Sequence, residues 1–427
     1  MAMIGVKTIA GRLGAFAGDR AGGVLPFFAF ALVPLIGLGG GLVDYARATQ
    51  VRTQLNAAAD AAALAAVGTV VMTKPLADAK TEGERFFDSD SAEYKSMLSS
   101  RTVTVTANGL RRSVEVTYTA AVPVYFMHLF GITKIDVAGR AASTGMRAPY
   151  IDFYLMLDNS PSMGVAATEA DIKTMVDNTS DKCAFACHDL SNPHNYYKKA
   201  KKLNVQMRID VVRQASQQLM DTAKTTSTLP GQYRMAAYTL GPSCDGKKLT
   251  EVQSITSDLT AAKKETGKID LMTIPHDQFD KDQCTDLNNA MTAMNGTISS
   301  TGDGSSSASP QKVLYFVSDG VADYYNPTSC SRKLTGGTRC QEPIDISFCK
   351  AIKDRGIQIA VLYTTYLPLP TNPWYNNWIK PFSADIPKRM EACASPGLFF
   401  EVSITQGIAE AMNALFQRVV SKAYLSS

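Results

Sequence analysis

Three short stretches of the chain carry oxygen-bearing side chains of the kind that hold a hard divalent cation. The first is Leu157-Asp158-Asn159-Ser160-Pro161-Ser162-Met163-Gly164, at the end of the apolar run Tyr150–Leu157. In an extended loop residues two apart point the same way, so Asp158, Ser160 and Ser162 can face one point. One carboxylate with two hydroxyls suits Mg²⁺ or Mn²⁺. The second stretch, Val317-Ser318-Asp319-Gly320, ends another apolar run with a second carboxylate. The third, Cys284-Thr285-Asp286-Leu287, opens a helix-like segment and can add a further hydroxyl.

The same residues invite an enzymatic reading, a Mg²⁺-dependent phosphohydrolase. Phosphatases of the D-x-D type need a second carboxyl as general acid, and Ser160 cannot act as one. Of the four histidines, His128, His188 and His194 lie away from the strand ends and His276 has no evident partner, so no Ser/His/Asp triad emerges. The chain is therefore read as a binding protein rather than an enzyme. A separate cluster, Cys183-Ala184-Phe185-Ala186-Cys187-His188 with His194, leaves three readings open. Covalent haem normally needs two residues between the cysteines and here there are three. Zinc could use Cys183, Cys187, His188 and His194, whereas an oxidising compartment favours a local disulfide.

Positioning these groups falls to the chain from Ala148 onward. Apolar runs at Tyr150–Leu157, Tyr233–Leu240, Val313–Val317, Ile357–Tyr363 and Leu398–Val402 alternate with helix-like segments near 205–224, 285–295, 345–355, 384–394 and 405–423. Alternation of this kind implies an α/β fold with a doubly wound, mostly parallel sheet. Ligands of such sheets bind beyond the carboxyl ends of the strands, which is where the three stretches lie. An insertion at 165–202 precedes the first helix. Tyr366 to Phe382 carries Trp374, Tyr375 and Trp378, candidates for a binding surface or for packing, and Gly302 to Pro310 reads as a loop.

The chain has 427 residues, 45% of them apolar and 19% charged, with a net charge of +4. That balance excludes a largely disordered chain, and the mean hydropathy near zero excludes a multi-span membrane protein. The small positive excess gives no argument for nucleic acid. One segment, Ala21 to Val43, runs 23 residues without a charge, long enough to cross a bilayer and too long for the core of a cleaved signal. It is read as an uncleaved anchor. Lys7, Arg12 and Arg20 before it and Arg47 and Arg52 after it give little orientation. The eight cysteines all lie well beyond the span, and their even count suggests disulfides, so residues 1–20 are assigned to the cytoplasm and the chain after Asp44 to the far side. Cys330 with Cys340 and Cys349 with Cys393 are candidate pairs among 105 possible connectivities.

Asp44 to Gly68 is Ala-rich and free of Pro, with Val51, Leu55, Ala58 and Ala62 on one helical face, so the anchor continues as one long helix, kinked near Pro34 and ending around Gly68. Gly37, Gly39, Gly40 and Gly41 leave room for a close neighbour. In TVTVTANGLRRSVEVTY, Thr102 to Tyr118, alternating valines flank Asn108-Gly109, a hairpin signal, and the stretch Val122 to Ile132 is expected to pack on that hairpin. Residues 44–147 thus form a helical stalk with a small β-rich module.

Two resemblances attach to these segments. Asp19-Arg20-Ala21-Gly22, Gly41-Leu42-Val43-Asp44-Tyr45-Ala46-Arg47, the Ala-rich Gln54 to Ala63 and Leu129-Phe130-Gly131-Ile132 make residues 15–145 similar to the TadE/TadG-like proteins of Flp (tight adherence) pilus assembly. Gly23 is followed five residues later by Phe28 where prepilin-type sites have Glu, so the chain looks like an uncleaved TadG-like anchor. The set Asp158-x-Ser160-x-Ser162, Thr285 and Asp319 resembles the metal-ion-dependent adhesion site (MIDAS) of von Willebrand factor type A (vWA) domains, over about 150–427. That resemblance implies Ser160, Ser162 and Thr285 as direct ligands of Mg²⁺ (or Mn²⁺), with Asp158 and Asp319 acting through water. It also implies an open coordination position for a carboxylate from a protein partner. Cys284 stands where the family usually has glycine, which suggests a disulfide-tethered loop. Together the two imply an inner-membrane, single-pass component of pilus assembly, its partner a pilin or assembly protein; a surface adhesin for host or matrix proteins is the alternative.

Overall fold

The computed structural model describes residues 24–185, 189–276, 283–366, 373–402 and 407–425. Residues 1–20, assigned to the cytoplasm from sequence, Gly23, and Cys187 and His188 of the cysteine–histidine cluster lie outside the described residues. The chain divides into two compact units, Met1–Met146 and Arg147–Ser427.

The first unit is built on α1, Val24–Ala66, with Pro34 inside it. The helix contains an 18-residue window of mean hydropathy 1.9 that is only 11% buried. From Ala48 onward it has one buried face, and Val51, Leu55, Ala58 and Ala62, the residues spaced for one stripe, are all within it. That face packs with α2 (Leu76–Asp90) and an antiparallel sheet of β1 (Leu98–Asn108), β2 (Arg111–Pro123) and β3 (Lys134–Met146), in the order β1-β2-β3. The β1–β2 hairpin turns at Gly109, whose φ of +58° favours glycine. Val103, Val114, Val116 and Tyr118 fill the core beneath α1, and the Tyr118 hydroxyl donates to Asn56 Oδ1 at 2.8 Å. The expectation that Val122 to Ile132 packs on the hairpin is corrected. Its helical turn, Met127–Phe130, lies against α1 instead, where glycine has left a groove.

The second unit contains a six-stranded sheet in the order β11-β10-β7-β4-β5-β6. Its strands are β4 (Ile151–Leu157), β5 (Tyr233–Thr239), β6 (Thr250–Thr256), β7 (Gln311–Ser318), β10 (Gln358–Thr364) and β11 (Phe399–Val402). The sheet is mixed: β6, absent from the sequence reading, pairs antiparallel with β5, and the other pairings are parallel. A separate two-stranded ribbon pairs β8 (Val321–Tyr325) with β9 (Arg339–Pro343). Every residue of β4 is buried, and alternate residues serve two cores. Phe153, Leu155 and Leu157 meet α5 (Arg208–Thr226), α6 (Leu259–Thr266) and α10 (Ile408–Leu425). Tyr154 and Met156 meet α7 (Leu287–Thr297), α8 (Ile346–Lys353) and α9 (Ile386–Cys393). The insertion carries two helices the sequence did not announce, α3 (Glu169–Asn178) and α4 (Tyr196–Lys202), capped by Thr168 and Asn195. Disulfides join Cys244 to Cys284, Cys330 to Cys340 and Cys349 to Cys393.

Candidate metal centre

From β4 the chain builds the sheet outward through β5 and β6, then returns to the other side of β4 with β7, β10 and β11. The reversal therefore falls between β4 and β7, and sheets of this kind bind their ligands beyond the carboxyl ends of the strands at such a point. Asp158 is the first residue past β4 and Asp319 the first past β7. Leu157 stands opposite Val317 in the register, and Asp158 N–H donates to Val317 O at 2.9 Å.

Asp158, Ser160, Asp319 and Thr285 are buried, and Ser162 is half-buried. The Asp158 carboxylate accepts from Ser160 N–H at 2.9 Å and from the Ser318 hydroxyl at 2.6 Å. Ser160 Oγ and Ser162 Oγ are 3.0 Å apart, and Ser162 opposes the upward shift of the Asp319 pKa. Asp319 Oδ1 accepts from Val321 N–H at 3.3 Å, while its buried Oδ2 has no partner. Thr285 is held by a backbone bridge to Asp323, with N–H···O distances of 2.9 and 2.8 Å, and by the disulfide of its neighbour Cys284. Four of the five residues singled out from sequence thus form one connected group. Thr285 is tied instead to β8, which starts two residues after Asp319. Next to Thr285 a cleft of about 620 Å³ is lined by Asp286, Asn288, Tyr324, Glu342 and Arg389 among others.

Burial raises the pKa of Asp158 against the hydrogen bonds that oppose it. Asp319 is pushed up to about 7, first by burial and then by the charge of Asp158. Two carboxylates sharing one dry site cannot both ionise cheaply without a positive charge between them. An orphaned carboxylate oxygen, two carboxyls pushed toward protonation and a pair of hydroxyls make a donor set that fits a small hard cation.

Three contributors escaped the sequence reading as functional groups. Ser318 holds Asp158, and only its place before Asp319 hinted at this. Asn159, buried between the ligand positions, accepts from Leu240 N–H at 3.1 Å and donates to Gly241 O at 2.8 Å, while its carbonyl accepts from Met272 N–H; it ties the loop after β4 to the loop after β5. Arg208 is 2% exposed at the start of α5 and donates to Thr365 O at 2.7 Å. Burial lowers its pKa while the Asp319 charge opposes that shift, so a guanidinium partly compensates the acidic pair. Nothing in the local pattern Met207-Arg208-Ile209 distinguishes it from a surface arginine. Trp374 stacks under Arg339, with the guanidinium 4.3 Å from the ring centroid, and Tyr375 is buried, so this aromatic stretch is at least partly packing.

Residues 22–69 match the family model of the Flp pilus-assembly TadE/G-like proteins. The chain therefore carries a TadE/G-like pilus-assembly segment at its N-terminus. A comparison with curated protein sequences gives no match. Among solved structures the chain is similar to the vWF domain of the type V pili tip protein Mfa5 from Porphyromonas gingivalis, at 10% identity and a TM-score of 0.38, covering 65% of this chain and 97% of that one. It is also similar to the PilB minor pilin of Streptococcus sanguinis, at 11% identity and 0.36, covering 77% and 79%. A von Willebrand factor type A protein of Catenulispora acidiphila gives 10% and 0.30, covering 77% and 50%.

Proposed function

We propose that this chain is a membrane-anchored component of a Flp-type pilus-assembly apparatus, whose second unit is a vWA-type domain that captures a protein partner through Mg²⁺ or Mn²⁺. Supporting the first part are the TadE/G-like match and the long apolar helix α1 that overlaps it. The observation that carries the second is the buried pair Asp158 and Asp319, one oxygen of which is left without a hydrogen bond at the point where the sheet order reverses. In this reading Ser160, Ser162 and Thr285 hold the cation directly, and Asp158 and Asp319 hold it through water. A bound cation would supply a Lewis-acidic position for a carboxylate oxygen of the partner. Ser318 and the Ser160 N–H fix the Asp158 carboxylate, and Asn159 fixes the loop that carries both serines. No catalytic residue is assigned. The anchor is placed in the inner membrane with residues 1–20 in the cytoplasm and the bulk of the chain in the periplasm or outside, where the three disulfides would persist.

Calorimetric titration of the detergent-solubilised full chain with MgCl₂ and MnCl₂ tests the site, and crosslinked pulldown from membranes tests the capture. Asp158→Ala is expected to remove both cation binding and capture while the thermal unfolding transition persists. Equal capture by the parent and the variant, or by the parent in chelator, would refute the metal mechanism.

A further inference from the structure

The apolar part of α1 is not the only apolar surface of the first unit. Between β2 and β3 the chain reads Val124-Tyr125-Phe126-Met127-His128-Leu129-Phe130-Gly131-Ile132. Five of these side chains are exposed and large: Tyr125 66%, Phe126 40%, Leu129 75%, Phe130 52% and Ile132 40%. So much apolar surface on one short turn marks a contact surface rather than ordinary scatter.

Its placement identifies what it contacts. A Cβ on Gly40 would stand 2.3 Å from Phe126 Cβ, one on Gly37 would stand 2.5 Å from Phe130 Cζ, and one on Gly41 would stand 3.8 Å from Met127. The turn therefore runs back along α1 from Asp44 to Gly37, roughly 10 Å at the helical rise per residue. Along that stretch and beyond it α1 itself exposes Phe27, Phe30, Val33, Leu35, Leu38 and Leu42. The two surfaces are continuous, and both end at the same level. There Asp44, 2% exposed, accepts from the N–H groups of Tyr125, Phe126 and Met127 at 2.8, 2.9 and 2.8 Å. Arg47 donates to Pro123 O at 2.8 Å, with its guanidinium 4.5 Å from the Tyr125 ring centroid. Lys134 follows at the start of β3. Aromatic rings beneath a rim of cations match the profile of a bilayer interface with its headgroups. The cost of taking backbone N–H groups toward hydrocarbon is met in advance, because Asp44 already satisfies three of them.

We propose that the turn Val124–Ile132 inserts into the bilayer beside α1, in the leaflet where the helix leaves the membrane, so that two elements fix the height of the first unit. The occupant of this surface is lipid, not a second protein. The inference rests on reading α1 as the anchor, and its test separates the two claims. The full chain is prepared with Trp374→Phe and Trp378→Phe, then with a single reporter, either Leu129→Trp on the turn or Leu38→Trp on the helix. Each is reconstituted into phosphatidylcholine–phosphatidylglycerol vesicles with and without brominated acyl chains. Bromolipid is expected to quench both reporters. Quenching of Leu38→Trp with red-shifted, unquenched emission from Leu129→Trp would overturn the inference and leave the anchor intact. Unquenched but blue-shifted emission from the turn would overturn it in favour of a protein cover. Loss of quenching at both positions would overturn the anchor reading as well.

Discussion

The two ends of strand β4 each bury an aspartate and treat it in opposite ways. At the start, Asp152 lies between Arg234 and Lys312, its register partners on β5 and β7. Arg234 donates from Nε and Nη2 at 2.7 and 2.8 Å, and Lys312 pairs with the same carboxylate. At the finish, Asp158 meets another buried carboxylate, Asp319, whose Oδ2 bonds nothing. The first end is electrostatically closed. The second keeps a carboxylate oxygen without a partner and is offset only in part by Arg208, and under the proposed function this contrast would separate a structural carboxylate from one kept for binding.

The comparison breaks most visibly at its closed end. Asp152→Ala leaves two cations facing each other with their counter-ion gone, and a loss of about 3–5 kcal/mol in unfolding free energy is expected, read by urea denaturation. At the open end Asp319→Asn should do the reverse. Removing a like charge leaves cation-free stability unchanged or higher, while Mg²⁺ affinity falls up to about 100-fold, the upper end of what losing a partner that acts through water produces. A loss of stability without any loss of Mg²⁺ affinity would make Asp319 structural.

Protons compete for the same place. Asp319 binds its proton more tightly in the folded unit than in the unfolded chain, so between roughly pH 4 and 7 the folded state holds the extra proton. Cation-free stability should therefore decline as pH rises through that window and level off above it. Cation affinity should move the other way, rising about tenfold per pH unit until Asp319 is ionised near pH 7 and flattening beyond. A pH-independent affinity across this range would mean the carboxyl takes no part. The smallest effect is expected from Ser318→Ala, which removes one hydrogen bond to Asp158 and should cost about tenfold in cation affinity, measured by the same titration.

Much of this was legible because it is periodic. The mostly apolar run at Tyr150–Leu157 and its counterparts mark strands buried on both faces, and each of the five runs became a strand of the sheet. Spacing alone brought Asp158, Ser160 and Ser162 together, and Cys330–Cys340 and Cys349–Cys393 pair as suggested. Strand β6 escaped because its burial is slight and its residues, Thr250 to Thr256, are mostly polar. Helices α3 and α4 escaped because short segments in an insertion show little periodicity. The turn at Met127–Phe130 was assigned to the wrong neighbour because its apolar content says that it packs and not on what.

The sequence by itself determined the long apolar helix, the alternation of strand and helix, and which oxygen-bearing side chains follow the strands, since each depends on residues close together along the chain. Only the tertiary structure decided that Asp319 faces Asp158 across the reversal in strand order, that Arg208 is drawn in beside them, and that Asp44 gathers the turn against α1. Those pairings join residues about 50 to 160 positions apart, and the burial that gives them their energy exists only once the chain has closed around them.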